Sequence, residues 1–258
     1  MGAGPLDRFP LWVLALGTVA LIVLADEAGR QIGKRRRGES SRDAPVGAIV
    51  GASLGLLGFV LAFTFGIAAS RFDSRRELLQ EEITTIGTMF LRTDFLPEPR
   101  RSELRDLVRK YVDQRLRSRD RDQLQAALDS SRALQRVMWA KVAEEGRIQS
   151  SSEMLALLVE STNDVINAQS RRVELSLRAR LPYPIWGALY IVTLLTMGSL
   201  GFFAGMEDAK RSIANLALIV SFTAIMMLIA DLDRAHEGLL QMNYQGLENL
   251  RKAVNTFP

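Results

Sequence analysis

Apolar and charged residues are segregated along this chain. Four stretches contain no charged residue, and they cover positions 9–25, 46–70, 184–206 and 213–230. At a rise of about 1.5 Å per residue, a helix of about 20 residues crosses a hydrocarbon core about 30 Å thick. The first stretch runs into Asp26 and Glu27 rather than a small-residue cleavage site, which favours a membrane helix over a signal peptide. The pattern therefore predicts four transmembrane helices.

The long charged stretch at 71–182 also has a helical pattern. Its apolar residues recur every three or four positions in four stripes, which begin at Leu78, Leu104, Leu124 and Leu155. No alternating strand pattern interrupts them. We predict an all-α protein in which 71–182 forms a helical bundle outside the membrane, continuous with the membrane helices at both ends. The remaining segment, 231–258, is predicted to be an amphipathic tail whose leucines pack on that bundle.

Composition excludes several kinds of site. The 258 residues include no cysteine and one histidine, His236, so disulfides, cysteine-ligated metals and a Ser-His-Asp triad are impossible within one chain. No phosphate-binding, dinucleotide or hydrolase motif is present. We expect no enzymatic activity, no cofactor and no nucleic-acid partner. Asp231 and Asp233 could bind a divalent cation, but the adjacent Arg234 favours a polar cluster at a helix end.

Charge leaves the orientation in the membrane almost undecided. Four crossings place both termini and 71–182 on one side. Basic residues near the membrane ends are almost equally numerous on the two sides, so the positive-inside rule gives nearly a draw. The basic cluster at 34–37, which ends at Arg37, slightly favours the first loop as the cytoplasmic one. Sequence pattern alone thus leans towards a bundle outside the cell.

The second apolar stretch carries two overlapping patterns. Gly47, Gly51 and Gly55 recur every four residues, which is typical of helices that approach one another closely in membranes. Gly55, Phe59 and Phe63 also recur every four residues and fall within an arc of about 80° on a helix. A ring of such helices would form an apolar constriction of the kind that gates pores. Periodicity alone favours helix packing over pore lining.

The same stretch resembles a known family. The run Gly58-Phe-Val-Leu-Ala-Phe63, followed by Ser70-Arg71-Phe72, is similar to the second transmembrane helix of the bestrophin channels. Three further stretches, 72–88, 93–113 and 230–240, resemble an uncharacterised bacterial family described as bestrophin-like. Together with the four-helix layout, these stretches cover most of the chain.

The resemblance implies a homopentameric ion channel in a bacterial inner membrane, with passive conduction and a cytoplasmic helical domain. Its partners would be copies of itself, membrane lipids and inorganic ions. The pore neck would lie at Gly55, Phe59 and Phe63, although glycine replaces a branched aliphatic residue there, which suggests two rings instead of three. The acidic run that binds calcium in animal bestrophins has no match, so we expect no calcium gating.

Three arginines follow the second apolar stretch. Arg71, Arg75 and Arg76 would make a positive vestibule and give a weak preference for anions. Anchoring to lipid headgroups explains them equally well. A non-conducting membrane sensor or scaffold, whose helical bundle binds a partner, is the alternative to a channel, and the number of subunits would distinguish the two.

Overall fold

The computed structural model describes residues 9–36, 46–120, 122–148, 152–178, 180–209, 213–234 and 242–256. His236 and Arg37 lie outside these residues. The described chain forms eight α-helices: α1 (Leu11–Arg35), α2 (Val46–Arg92), α3 (Arg100–Arg117), α4 (Leu124–Ile148), α5 (Glu153–Arg178), α6 (Tyr183–Met206), α7 (Ile213–Asp233) and α8 (Gln245–Thr256). A short 3-10 helix, Thr93–Phe95, follows α2. Within these ranges there is no strand, so the all-α prediction is confirmed.

Four of these helices are long and apolar enough to cross a membrane: α1, α2, α6 and α7. They contain the four apolar stretches of the sequence. Two of them extend well beyond the apolar residues. The helix α1 continues from Ala25 to Arg35, and α2 continues from Ser70 to Arg92 without a break. Hydropathy marks where a helix is apolar, whereas the backbone hydrogen bonds that define its ends continue into charged sequence.

The chain divides into two compact units. The first contains residues 1–72 and 180–240, and the second contains 73–179 and 241–258. At the first boundary α2 is one continuous helix, as predicted. At the second boundary the predicted continuity is wrong, because α5 ends at Arg178 and α6 begins at Tyr183. Pro182 caps α6 and Pro184 occupies its first turn; proline lacks a backbone donor and clashes with a preceding helical turn.

The first unit is organised by a close crossing of α1 and α6. A Cβ atom added to Gly29 would overlap the carbonyl oxygen of Gly198 on α6. In the other direction, Cβ atoms added to Gly201 and Gly205 would overlap the carbonyl oxygens of Asp26 and Arg30. Such contacts require glycine, since any side chain would separate the two backbones. The glycine pattern that governs packing within the protomer is thus on α1 and α6, not on α2.

The second unit is a helical bundle with one apolar core. All four predicted stripes contribute to it, and the buried members include Leu79, Ile86, Phe90, Leu104, Val108, Met138, Leu155, Leu158 and Val165. The stripe that begins at Leu124 was predicted to include both Val137 and Met138, but Val137 is exposed, because Met138 takes the inward position on α4. From the tail, α8 packs Leu247 and Val254 into the same core, with Leu250 partly buried against it. The predicted packing of the tail leucines therefore holds for 247 and 250.

Candidate functional site

The membrane part of α2 has two distinct faces. Five residues at helical spacing turn inwards and are buried in the first unit: Val50, Leu57, Leu61, Thr64 and Ala68. On the opposite side lies what we call the exposed face of α2, which consists of Ala48, Gly51, Ala52, Gly55, Phe59, Ala62, Phe63 and Gly66. At about 100° per residue these eight positions span an arc of about 120° that is centred opposite the buried residues.

Phe59 and Phe63 project from this face. Their exposed fractions are 69% and 63%, which means that neither ring packs into the protomer. The two rings stack on one another along the helix, with centroids 6.4 Å apart and planes inclined by 14°. Helical spacing of four residues places one ring a turn above the other. The side chains that the sequence assigned to a pore neck are therefore free of intrachain packing.

The glycines of the exposed face do not mediate packing within the protomer. Cβ atoms added to Gly51, Gly55 or Gly66 would meet no other group within 4 Å. Gly58, on the flank of this face, is equally open. No helix of the same protomer therefore approaches these glycines closely. Either another molecule approaches them, or they take part in no helix contact. Gly47, the first glycine of the pattern seen in the sequence, does have a neighbour, because a Cβ atom added to it would lie 3.4 Å from the ring of Phe203 on α6. For Gly51 and Gly55 the packing explanation is left only as contact between subunits.

The exposed face of α2 also differs from the other exposed membrane surfaces. On α7 the large exposed side chains are branched aliphatics, namely Ile213, Leu216, Val220, Ile225 and Leu228, and the small residues Ala214, Ala217, Ser221 and Ala224 are exposed between them. Branched aliphatic side chains are typical of surfaces that contact lipid tails. On the exposed face of α2, all side chains except the two phenyl groups are Gly or Ala. Contact with lipid alone does not account for a face built from Gly and Ala with two phenyl groups.

The three arginines after the apolar stretch have different environments. Arg71 is half-buried in the first unit, and its Nη1 has no hydrogen-bond partner there. In the second unit Arg75 is only 2% exposed, whereas Arg76 is exposed. Of the three, Arg76 therefore presents its charge most openly to solvent.

The acidic residues at the end of α7 have structural contacts. The carboxylate of Asp233 accepts a hydrogen bond of 2.8 Å from the backbone N–H of Leu181, just before α6. Arg234 donates a 2.7 Å hydrogen bond to the carbonyl oxygen of Phe9, just before α1. Asp231 is buried. These contacts tie the start of α1, the start of α6 and the end of α7 together, as expected for a polar cluster at a helix end. Within the described ranges, no three acidic or histidine side chains are grouped as metal ligands would be.

Sequence reasoning missed one polar contact inside the membrane unit. The fourth apolar stretch contains no charged residue, yet its Asn215, on α7, donates a 3.0 Å hydrogen bond to the carboxylate of Asp26. One turn further along α1, Arg30 donates a 2.9 Å hydrogen bond to the carbonyl oxygen of Ala209. Asparagine in an otherwise apolar helix was the available signal, because such residues usually pair with another polar group.

Comparison with known proteins identifies the family. A family model described as "Bestrophin-like domain" matches residues 13–247. Apart from the first two residues of α1, this range includes all four membrane-spanning candidates and the helical bundle between them. No curated protein and no solved structure matches the chain. Because the family model covers far more than half of the residues, the chain belongs to the bestrophin-like family and is a membrane protein.

Proposed function

We propose that this protein is a passive ion channel whose pore is lined by the exposed face of α2. The observation that carries the proposal is the position of Phe59 and Phe63, two large apolar side chains that lie on a helix face otherwise built from Gly and Ala. Membership in the bestrophin-like family supports the same function. In this arrangement several copies of α2 surround a central axis and each directs its exposed face inwards.

The two phenyl groups would form the narrowest part of the pore. Phenyl rings offer no hydrogen bonds to an ion, so an ion at the constriction must keep its water shell or lose it without compensation. Uncompensated loss costs several kcal/mol or more (about 4–8 kcal/mol even for a neutral polar group moved to hydrocarbon). Gly55, which is equally exposed, contributes no side chain and leaves two rings rather than three. We propose a homopentamer in a bacterial inner membrane, as in the bestrophin channels that the chain resembles.

We further propose a weak preference for anions. An apolar constriction does not distinguish the sign of an ion, so the charges near the mouths of the pore must do so. Because Arg75 is buried, Arg76 is the exposed member of the three arginines in the second unit, and Arg71 is half-buried in the first. A positive charge at a pore entrance raises the local concentration of anions and lowers that of cations.

A membrane scaffold is the second candidate function. It is favoured by exposed apolar side chains on the helical bundle, among them Trp139, Met154 and Leu157. Exposed apolar groups in one region are typical of surfaces that bind another protein. A dimer would support the scaffold, whereas five subunits around an axis would support the channel. A view of the purified particle along the membrane normal distinguishes them.

Cysteine accessibility tests the pore directly, because the chain has no native cysteine. We expect Ala62→Cys, on the exposed face of α2, to lose most of its ion flux in vesicles after treatment with methanethiosulfonate ethylsulfonate. The reason is that this charged reagent reacts in water-filled spaces and would leave a sulfonate inside the pore. The measurement is ion flux before and after treatment.

Two matched variants serve as controls. Val220→Cys lies on the exposed apolar surface of α7, and Leu61→Cys lies on the buried face of α2. Neither should respond to the reagent, since lipid and protein core both exclude a charged molecule. Equal responses at 62 and 220 would remove the assignment of the exposed face of α2 to a pore. A positively charged reagent of the same size should react more slowly at 62, owing to the proposed anion preference.

We propose that the helical bundle lies in the cytoplasm, as the family resemblance implies. An exposed position on α4 tests this, since Asp129→Cys in intact cells should resist a membrane-impermeant maleimide and react only after permeabilisation. Gly38→Cys, at a sequence position between α1 and α2, should react in intact cells because it would face the other side. Labelling of 129 but not 38 in intact cells would reverse the orientation.

A further inference from the structure

The second unit holds a charged cluster in its interior. Glu82 of α2 is fully buried and accepts a 2.6 Å hydrogen bond from Nε of Arg115 on α3 and a longer one of 3.4 Å from Nη2 of the same side chain. Nη1 of Arg172 on α5 also donates to Glu82. Burial lowers the pKa of Arg172, but the charges of Glu82 and Tyr244 and the hydrogen bonds to them together outweigh burial and raise that pKa above its ordinary value. Two guanidinium charges thus face one carboxylate charge.

A layer of uncharged polar groups lies one helical turn away. The hydroxyl of Tyr111, on α3, accepts a 3.2 Å hydrogen bond from Nε2 of Gln135 on α4 and lies 3.4 Å from Oε1 of Gln169 on α5. Burial, together with the charge of Glu82, raises the pKa of Tyr111, so its hydroxyl keeps its proton and donates to Gln169. The amide oxygen of Gln169, Oε1, therefore accepts a hydrogen bond, whereas its amide nitrogen, Nε2, donates none.

Two buried N–H groups of this cluster have no acceptor. They are Nη1 of Arg115 and Nε2 of Gln169, whose side chains belong to residues only 2% and 3% exposed. Arg115 lies one turn beyond Tyr111 on α3, and Gln169 lies one turn before Arg172 on α5. Arg115 therefore belongs to the layer of Glu82 and Gln169 to the layer of Tyr111, and the two layers are about 5 Å apart, or one helical turn. A single acceptor of atomic size that lay between the two layers could receive both N–H groups.

We propose that the helical bundle binds a small inorganic anion of the chloride class between Nη1 of Arg115 and Nε2 of Gln169. A water molecule could also accept two hydrogen bonds, but it would leave the excess positive charge of the Arg115–Glu82–Arg172 cluster uncompensated. Buried charge without a counter-charge is strongly unfavourable, and a monovalent anion balances the cluster. The proposal concerns residues of the second unit alone and does not require that the protein conducts ions.

The full chain in detergent tests the proposal. At equal ionic strength, its melting temperature should be higher in sodium chloride than in sodium gluconate by about 5 °C, and the increase should saturate with chloride, as expected for a ligand that binds the folded state. Gluconate is too large for a space of atomic size. Gln169→Glu should remove the chloride dependence, because the new carboxylate replaces the anion next to Arg115.

The matched control is Gln135→Glu, which makes the same change on the other side of Tyr111. It should keep the chloride dependence of the native chain, and general effects of salt would act on both variants alike. Equal melting temperatures of the native protein in the two salts would mean that water alone satisfies the two donors. An unchanged chloride response in Gln169→Glu would also overturn the proposal.

A second measurement does not depend on any variant. Crystals of the native protein grown in bromide should show anomalous density within hydrogen-bond distance of both Nη1 of Arg115 and Nε2 of Gln169. Bromide has the charge of chloride and nearly its size. Absence of anomalous density at saturating bromide would contradict the site even if the melting temperatures differ.

Discussion

Replacing Phe59 and Phe63 together with alanine is expected to raise ion flux through reconstituted vesicles about tenfold or more. Both rings are largely exposed in the protomer, so their loss should leave no cavity within it. A decrease of about 1.4 kcal/mol in the barrier to ion passage already corresponds to a tenfold faster rate. Relief of even part of the dehydration cost at an apolar constriction would reach that value. Steady flux per reconstituted protein is the quantity to measure.

Two controls distinguish the loss of a pore constriction from a general effect of removing exposed apolar side chains. The double change Leu216→Ala and Val220→Ala removes exposed apolar side chains of comparable exposure from α7, and it should leave flux unchanged. Size-exclusion chromatography shows whether each variant keeps its oligomer. If the phenyl groups instead pack between subunits, their removal should cost about 3–5 kcal/mol per ring. Loss of the oligomer without added flux would then favour the scaffold over the channel.

Gly201→Ala is expected to destabilise the protein by about 1–3 kcal/mol or more, which is the usual cost of overpacking. The added methyl group would overlap the carbonyl oxygen of Asp26 on α1. Because that oxygen belongs to the backbone of a helix, it cannot move aside as a flexible side chain could. The helices α1 and α6 would have to separate, and the contacts along their crossing would weaken. Reversible unfolding in detergent measures the change in the free energy of unfolding.

The control for this prediction lies on the same helix. A Cβ atom added to Gly187 would meet no group within 4 Å, so Gly187→Ala should be neutral or stabilising by up to about 1 kcal/mol. The difference between the two variants isolates the effect of the close crossing from the higher helix propensity of alanine. Equal stability of the two would show that α1 and α6 do not approach at Gly201.

Helical type and membrane class could be read from the sequence because both follow from local patterns. A stretch of uncharged residues long enough to cross a bilayer must satisfy its backbone hydrogen bonds internally, and a single helix does so. The stripes of 71–182 likewise predict helices from spacing alone, and residues such as Leu104 and Leu158 are buried as their spacing suggests. Pro97, Glu98 and Pro99 lie between the first two helices of the bundle, since α2 ends at Arg92 and α3 begins at Arg100, and proline disfavours the helical conformation in the residue before it.

The candidate pore residues could be named from the sequence, but their environment could not. A stripe of Gly and Phe is compatible with packing inside the protomer, packing between subunits or lining a pore. Only the fold decides that the buried face of α2 contains Leu57 and Leu61, so that Phe59 and Phe63 point away from it. The choice depends on which neighbours the other helices provide, and spacing within one helix contains no such information.

Other features depend on residues far apart in the chain. Asn215 pairs with Asp26 across 189 positions, and Arg172 reaches Glu82 across 90. Both contacts arise from the packing of separate helices, and a single sequence gives no sign of which polar residues will meet. The chain by itself thus determined its helices, their membrane class and the candidate face of α2, because these follow from local composition and period. Only the tertiary structure decided which glycines allow close approach and which charges are buried together, because those properties belong to pairs of helices.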